Sequence, residues 1–323
     1  MRHIPIDAVL DAAQHVYRAA VRTPLVRLDL PFESAGRAPE VYLKLESLQP
    51  IGSFKIRGAW NAVRKLSADV MKDGVWTVSA GNAAQGVAFA ARLAGVPCSV
   101  MVMDTAPAAK LRAIEKLGAA VVKASYDECW KTVESHASSR MRGHFVHPFD
   151  DDDFIAGNAT AGLEILEDLP EVDAVVAALG GGGLLAGVAS VLRARKPGVR
   201  IFAAEPETAA PLSRSLAAGR ACYFDGWKPS FVDGAGGKSV LETMWPLLSE
   251  LVDGSIVVSL DEVAAAMRKA AERVHIVAEG AGATAIAAAL SGRAGTGKIV
   301  AVVSGGNIDL SRFAELVGAS QHA

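Results

Sequence analysis

Three cysteines in 323 residues, Cys98, Cys129 and Cys222, are too scattered and too few to staple a fold. None belongs to a CxxC pair, so no thiolate zinc site follows either. Each reads as a small buried apolar residue in a reducing compartment. Charge of one sign is also missing. A formal net charge of -2 with mixed patterning leaves no basic footprint for nucleic acid and no polybasic patch for a membrane surface. Long apolar runs are absent, the longest being broken by glycine or charge, so no membrane span is expected. The opening MRHIPIDAVLDAAQ is interrupted by Pro5, Asp7 and Asp11 and lacks the apolar region of a signal peptide. No low-complexity stretch and no repeat of solenoid period is found. Together these absences predict a soluble, cytoplasmic protein whose partners are small molecules.

What is there suits a large packed core. Hydrophobic residues make up 51% of the chain and charged ones 21%, and the length suggests two domains. Short apolar runs alternate with helical patterns from about Gly74 onward. Strands are expected at 75–80, 98–103, 120–124 and 144–147, with helices at 82–95, 105–118 and through Trp130 to about Arg140. A second series follows: helix 158–168, strand 174–179, a helix from Leu184, strand 201–205, strand 256–260, helix 261–275, a small-residue helix from Gly282 and strand 299–304. Such alternation predicts an α/β fold, parallel sheets flanked by helices. Two blocks emerge, residues 77–150 in one and 1–76 with 151–323 in the other; TPLVRL (23–28) is assigned to the latter.

Ligands of open parallel sheets bind at the carboxyl ends of strands. Three unusual motifs fall there: SAGN (79–82), GGGG (180–183) and SGGN (304–307). Gly180, Gly181, Gly182 and Gly183 remove every Cβ between a strand and a helix, where backbone N–H groups and the helix N-terminus favour a phosphate. Gly181, Gly183 and Ala186 also fit the dinucleotide pattern G-x-G-x-x-A, with Glu205 placed for a ribose hydroxyl. Taken alone, that supports an NAD-dependent oxidoreductase. Other phosphate motifs fail, since GAGGKS (234–239) has Val232 where a P-loop needs its first glycine, and GTGK (295–298) lacks the magnesium-holding hydroxyl residue. His3, His15, His136, His144, His147 and His275 show no metal spacing.

SFKIRGA (53–59) sets Lys55 between two apolar residues, Phe54 and Ile56. The ordinary explanation is a stem laid on the core with its ammonium in water. The alternative is an amine kept partly desolvated for covalent chemistry with a carbonyl. For Ser79 and Asn82 the choice lies between a ligand-holding loop and simple capping of the next helix.

SFKIRGA, SAGNAAQG (79–86), GGGGLLAG (180–187), EGAGA (279–283) and SGGNID (304–309), in this order, resemble the fold-type II pyridoxal phosphate enzymes, which are tryptophan synthase β-like. Within them the chain is similar to the threonine/serine dehydratase and serine racemase group. The resemblance implies a large cofactor-binding domain and a small domain, 77–150, closing over the substrate. It implies Lys55 as the Schiff-base amine and α-proton base, with Phe54 on a ring face. It places the phosphate on Gly180 to Gly183 and Leu184, and Asn82 on the cofactor's 3-oxygen. Ser79, Ala80, Gly81, Asn82 and Ala83 would hold the substrate carboxylate. Ser304 would face the pyridine nitrogen, a neutral partner suited to β-elimination. Glu279 either lies near the pyridine or caps the next helix.

The implied activity is dehydration of an L-β-hydroxy amino acid to a 2-oxo acid and ammonia, with racemisation or β-replacement as competitors. A homodimer is also implied. Ala80 stands where racemases carry a second serine base. Ala83 stands where dehydratases commonly carry histidine, which opens volume for a bulkier substrate. Relatives hold a cation at the position of Glu205, but Pro211 replaces a second acid, which leaves at most a monovalent site.

Overall fold

The computed structural model describes residues 2–28 and 39–318. Among these, Val-, Ile- and Ala-rich segments pair into two sheets. The strands are β1 (Leu25–Arg27), β2 (Glu40–Lys44), β3 (Val75–Val78), β4 (Cys98–Met103), β5 (Ala120–Ala124), β6 (His144–Phe145), β7 (Ala174–Ala178), β8 (Arg200–Pro206), β9 (Gly254–Val258) and β10 (Lys298–Val302). The larger sheet runs β1-β2-β10-β7-β8-β9 and the smaller β5-β4-β3-β6. Every pairing is parallel except one: β1 lies antiparallel to β2, Leu25 opposite Lys44, a mixed edge that parallel sheets often carry. The expected α/β fold of parallel sheets flanked by helices is what the chain adopts.

The helices are α1 (Ile6–His15), α2 (Lys55–Arg64), α3 (Ala68–Met71), α4 (Asn82–Ala94), α5 (Ala108–Lys116), α6 (Tyr126–Ser135), α7 (Asp152–Asp168), α8 (Gly183–Arg195), α9 (Pro211–Ala218), α10 (Trp245–Leu251), α11 (Leu260–Val274), α12 (Gly280–Leu290) and α13 (Leu310–Gly318). Two bounds differ from the sequence pattern for visible reasons. Helix α6 stops before Arg140 because His136 adopts a left-handed conformation, φ 57°. Helix α7 starts six residues before 158, where the Asp151 carboxylate accepts the Phe154 N–H at 2.8 Å.

Both faces of the large sheet are covered. Val175, Ala177, Val300 and Val302 pack under α7 and α8, while Val176, Ile299 and Ala301 pack under α11 and α12. Alternate residues of one strand therefore serve opposite cores, which is the period-2 rule of a sheet buried twice. A third core joins Ile56, Ala59, Trp60 and Val63 of α2 to Val75, Val87 and Val100, so the segment that begins at Lys55 packs against the smaller sheet's own elements.

Helices α4, α2, α7 and α8 approach one another backbone to backbone. A Cβ on Gly157 of α7 would sit 2.4 Å from the Arg57 carbonyl oxygen, and one on Gly187 of α8 2.6 Å from that of Ile155. Beneath this stack Arg57 is fully buried. Its guanidinium donates to Glu46 at 2.7 Å, to Glu164 at 2.6 Å and to Thr160 at 3.0 Å, and Lys44 Nζ reaches Glu164 at 2.6 Å. Two cations against two carboxylates leave the cluster neutral, the condition for burying charge at all.

Candidate active site

The strand order of the large sheet reverses between β10 and β7, and their carboxyl ends open a crevice there. The end of β10 carries Ser304, the end of β7 carries the four glycines, and the end of β3 in the smaller sheet carries Ser79. A cavity of about 420 Å³ lies among them. It is lined by Phe54, Lys55, Ser79, Ala80, Gly81, Asn82, Ala83, Gly180, Gly181, Gly182, Gly183, Leu184, Glu279 and Ser304. Every residue singled out from the sequence except Glu205 faces this one space.

Lys55 opens α2, and its Nζ donates to the Pro148 carbonyl at 2.5 Å. The amine lies 5.1 Å from the Phe54 ring centre and 5.3 Å from that of Phe154. Among the described residues no carboxylate pairs with it. Burial without a counter-charge pushes its pKa down to about 7, so the amine is a base near neutrality. The snorkelling alternative is thereby set aside.

The glycine loop forms a cradle that side chains would fill. A Cβ on Gly181 would strike the Phe149 ring at 2.1 Å, and Gly182 adopts φ +94°. No side chain caps the N-terminus of α8, so its first-turn N–H groups point, unpaired by any cap, into the space where an anion would sit.

Helix α4 is likewise uncapped by a side chain, with Gly81 at its N-cap. Ser79 Oγ accepts the Gly81 N–H at 3.1 Å rather than closing the helix end. Asn82 Nδ2 donates to Glu279 Oε1 at 2.8 Å, and Asn82 Oδ1 accepts from Asn307 Nδ2 at 2.8 Å. Neither Ser79 nor Asn82 therefore caps α4. Glu279 sits at the N-cap of α12 without capping it, its carboxyl committed to Asn82. Burial, with Asp233 adding repulsion, pushes the Glu279 pKa up to about 7. Ser304 is buried, its carbonyl accepts the Phe54 N–H at 3.0 Å, and among the described residues its hydroxyl has no protein partner.

Glu205 lies elsewhere. It is fully buried, with Oε1 accepting the Leu212 N–H and Oε2 the Ser213 N–H, both at 2.8 Å, and the Ser255 hydroxyl at 2.5 Å. The carboxylate serves as the missing cap of α9, and burial raises its pKa. It is away from the cavity, so it meets no ribose, and three donors already surround the oxygens that a cation would need. The histidines bring a second correction. His136, His147 and Asp150 place ligand-type atoms within 4.8 Å of one another. His147 Nδ1, however, accepts the Asp150 N–H at 2.7 Å, and Asp150 is held by Arg2 and Thr243. Burial keeps the His147 imidazole neutral, as a structural hydrogen-bond acceptor.

Lys110, Asp233, Trp130, Phe149 and Asn307 also line the cavity and were not singled out from the sequence. Lys110 of α5 and Asp233 form an ion pair across the mouth. Asn307 stands inside the SGGN motif and Asp233 immediately precedes GAGGKS (234–239), so position relative to a motif was their signal; Trp130 had none.

The family described as pyridoxal-phosphate dependent enzyme matches residues 16–305. An L-threonine ammonia-lyase of Thermotoga maritima is 38% identical over 317 residues, covering 97% of this chain and 78% of that protein. A serine racemase of Dictyostelium discoideum is 34% identical over 327 residues, 98% and 99% of the two chains. Among solved structures, maize serine racemase superposes with a TM-score of 0.86 at 31% identity, covering 97% of both chains.

Proposed function

Because the chain belongs to the pyridoxal-phosphate dependent enzymes, and is a lyase of the fold-type II kind, we propose that it dehydrates an L-β-hydroxy amino acid to a 2-oxo acid and ammonia. The observation that carries this reading is a lysine amine without a counter-charge, poised to lose its proton near pH 7, between two uncapped helix N-termini. The residues present fit the cofactor. The cradle at 180–183 is shaped for backbone alone, since a Cβ there would collide with Gly234, Phe149 or Leu248, which suits a phosphate held by N–H groups, and the unpartnered Ser304 hydroxyl suits a ring nitrogen.

When bound, pyridoxal phosphate supplies the electron sink that makes the α-proton of an amino acid acidic. The chain supplies the rest. The N–H groups of α8 and its glycines hold the dianionic group, and the amide of Asn82, steadied by Glu279 and Asn307, sets the angle of whatever it touches. The uncapped start of α4, with the Ser79 loop, holds the substrate carboxylate. Lys55 Nζ takes the α-proton, which the low proton affinity of its surroundings permits at neutral pH. The β-hydroxyl leaves as water, balanced by the proton that Lys55 removed, and the released enamine tautomerises to an imine that takes up a water to give 2-oxo acid and ammonia. Opposite Lys55 the loop offers methyl groups at Ala80 and Ala83, and the Ser79 hydroxyl is engaged by Gly81, so a second base for racemisation is missing from it.

The test is release of ammonia and 2-oxo acid from β-hydroxy amino acids by the purified protein with pyridoxal phosphate. A visible absorption band and turnover are expected, and both vanish in Lys55→Ala. Exchange of the α-proton without ammonia release would replace the lyase reading with racemisation.

A further inference from the structure

Beside the cavity at Lys55 lies a second compartment of about 160 Å³. Its walls are Val78 and Ala80 after β3, Met101 and Met103 of β4, and Trp130 and Val133 of α6. Val78, Ala80, Met103, Trp130 and Val133 line the main cavity as well, so the two spaces adjoin along these residues. The size is informative. An interior cavity of about 150 Å³ walled by aliphatic and aromatic side chains takes up benzene.

Chemistry agrees with size. Most of the compartment's wall is apolar; of its polar side chains, Ser79 Oγ accepts the Gly81 N–H at 3.1 Å, and the Tyr126 ring lies under Lys238, whose Nζ is 4.5 Å above it. At the main cavity the one lysine besides Lys55 is Lys110, already neutralised by Asp233. A second carboxylate on the substrate would therefore find no lysine besides Lys55 lining the main cavity free of a counter-charge, Lys238 being stacked outside it over the Tyr126 and Trp227 rings, whereas a ring would find an aromatic wall at Trp130. A methyl or hydrogen substituent would leave the compartment's lining without partner atoms.

We infer that the substrate's β-carbon carries a bulky apolar group, an aryl or branched alkyl, which seats in this compartment with Trp130 as the specificity-determining residue; this rests on the dehydratase reading. In the holoenzyme, kcat/KM for ammonia release from threo-3-phenyl-L-serine is expected to exceed that for L-threonine at least about tenfold, since one methylene in a fitted pocket is worth about that much. Preference for L-threonine, L-serine or 3-hydroxyaspartate would overturn the inference and leave the dehydratase reading intact.

Binding of non-eliminating amino acids separates the two. L-phenylalanine is expected to perturb the holoenzyme's visible absorption at a concentration at least about tenfold below that needed with L-alanine. Equal concentrations overturn the inference even if ammonia is released. Tighter phenylalanine binding without ammonia release from any substrate supports the compartment and overturns the dehydratase reading. Trp130→Ala is expected to reduce the phenylalanine-over-alanine ratio at least about fivefold, and Val133→Phe, which fills the compartment from its buried side, to do the same. An unchanged ratio in both sinks the assignment.

Discussion

Lys55 and Glu279 share one cavity and are pushed toward the same pKa, about 7, from opposite sides. Their effects on stability therefore run in opposite directions with pH. Lys55 is lowered from 10.5, so its folding penalty is full below pH 7 and fades as pH rises to 10.5. Glu279 is raised from 4.5, so its penalty is absent below 4.5, grows through pH 7 and is full above it. In the cofactor-free protein, Lys55→Met is expected to raise Tm more at pH 6 than at pH 10, and Glu279→Gln more at pH 9 than at pH 5. Thermal unfolding at those values checks both, and parallel trends would contradict the assigned environments. That Lys55 faces a cavity was not legible from Phe54 and Ile56, which fit a lysine with its stem on the core and its ammonium in water; only the resemblance carried by the five ordered motifs implied it. That Glu279 bonds Asn82 was not legible either, because 197 positions separate them.

At the scale of elements, the glycine loop was readable from four missing side chains, whereas α2 was not. Its polar residues Arg57, Asn61 and Arg64 recur at i, i+4 and i+7, one face of a helix, but eight of its ten residues are buried. The polar face is turned inward, where Arg57 bonds Glu46 and Asn61 the Asp153 carbonyl, so it does not mark a solvent side. Arg57→Met is expected to destabilise the protein by about 3–5 kcal/mol in urea unfolding, because Glu164 would keep Lys44 as its cation but buried Glu46 would keep only the neutral donors Thr23 and Gln49. Gly181→Ala drives a methyl into the Phe149 ring. It is expected to weaken cofactor binding at least about tenfold, roughly 1.4 kcal/mol, measured by titrating the visible band. Glu205 carries a contrasting lesson. Its distance from the glycines matched a ribose-binding acid, but spacing cannot tell a carboxylate aimed at a ligand from one that caps α9.

For the whole molecule, the alternation of strands and helices announced parallel sheets, but the order β2-β10-β7, which puts the C-terminal strand at the centre, is invisible without long-range pairing. It is this order that brings Ser304 beside Gly180. Since the cavity is built from both sheets, a ligand filling it holds the chain together: pyridoxal phosphate at a hundredfold its dissociation constant is expected to add about 2.7 kcal/mol. Differential scanning calorimetry with and without cofactor checks this, and an unshifted Tm would mean that the native chain does not bind the cofactor in preference to the unfolded one. The backbone contacts among α4, α2, α7 and α8 reach further. Gly86 meets Lys55, Gly157 meets Arg57 and Gly187 meets Ile155, so the helices bearing the carboxylate loop, the amine and the phosphate cradle are keyed to one another where no side chain can give way. Descendants of this chain cannot retune those corners one at a time. Divergence in what the protein accepts is left to the loosely keyed wall of β3, β4 and α6, where a lineage can change diet without relearning its chemistry.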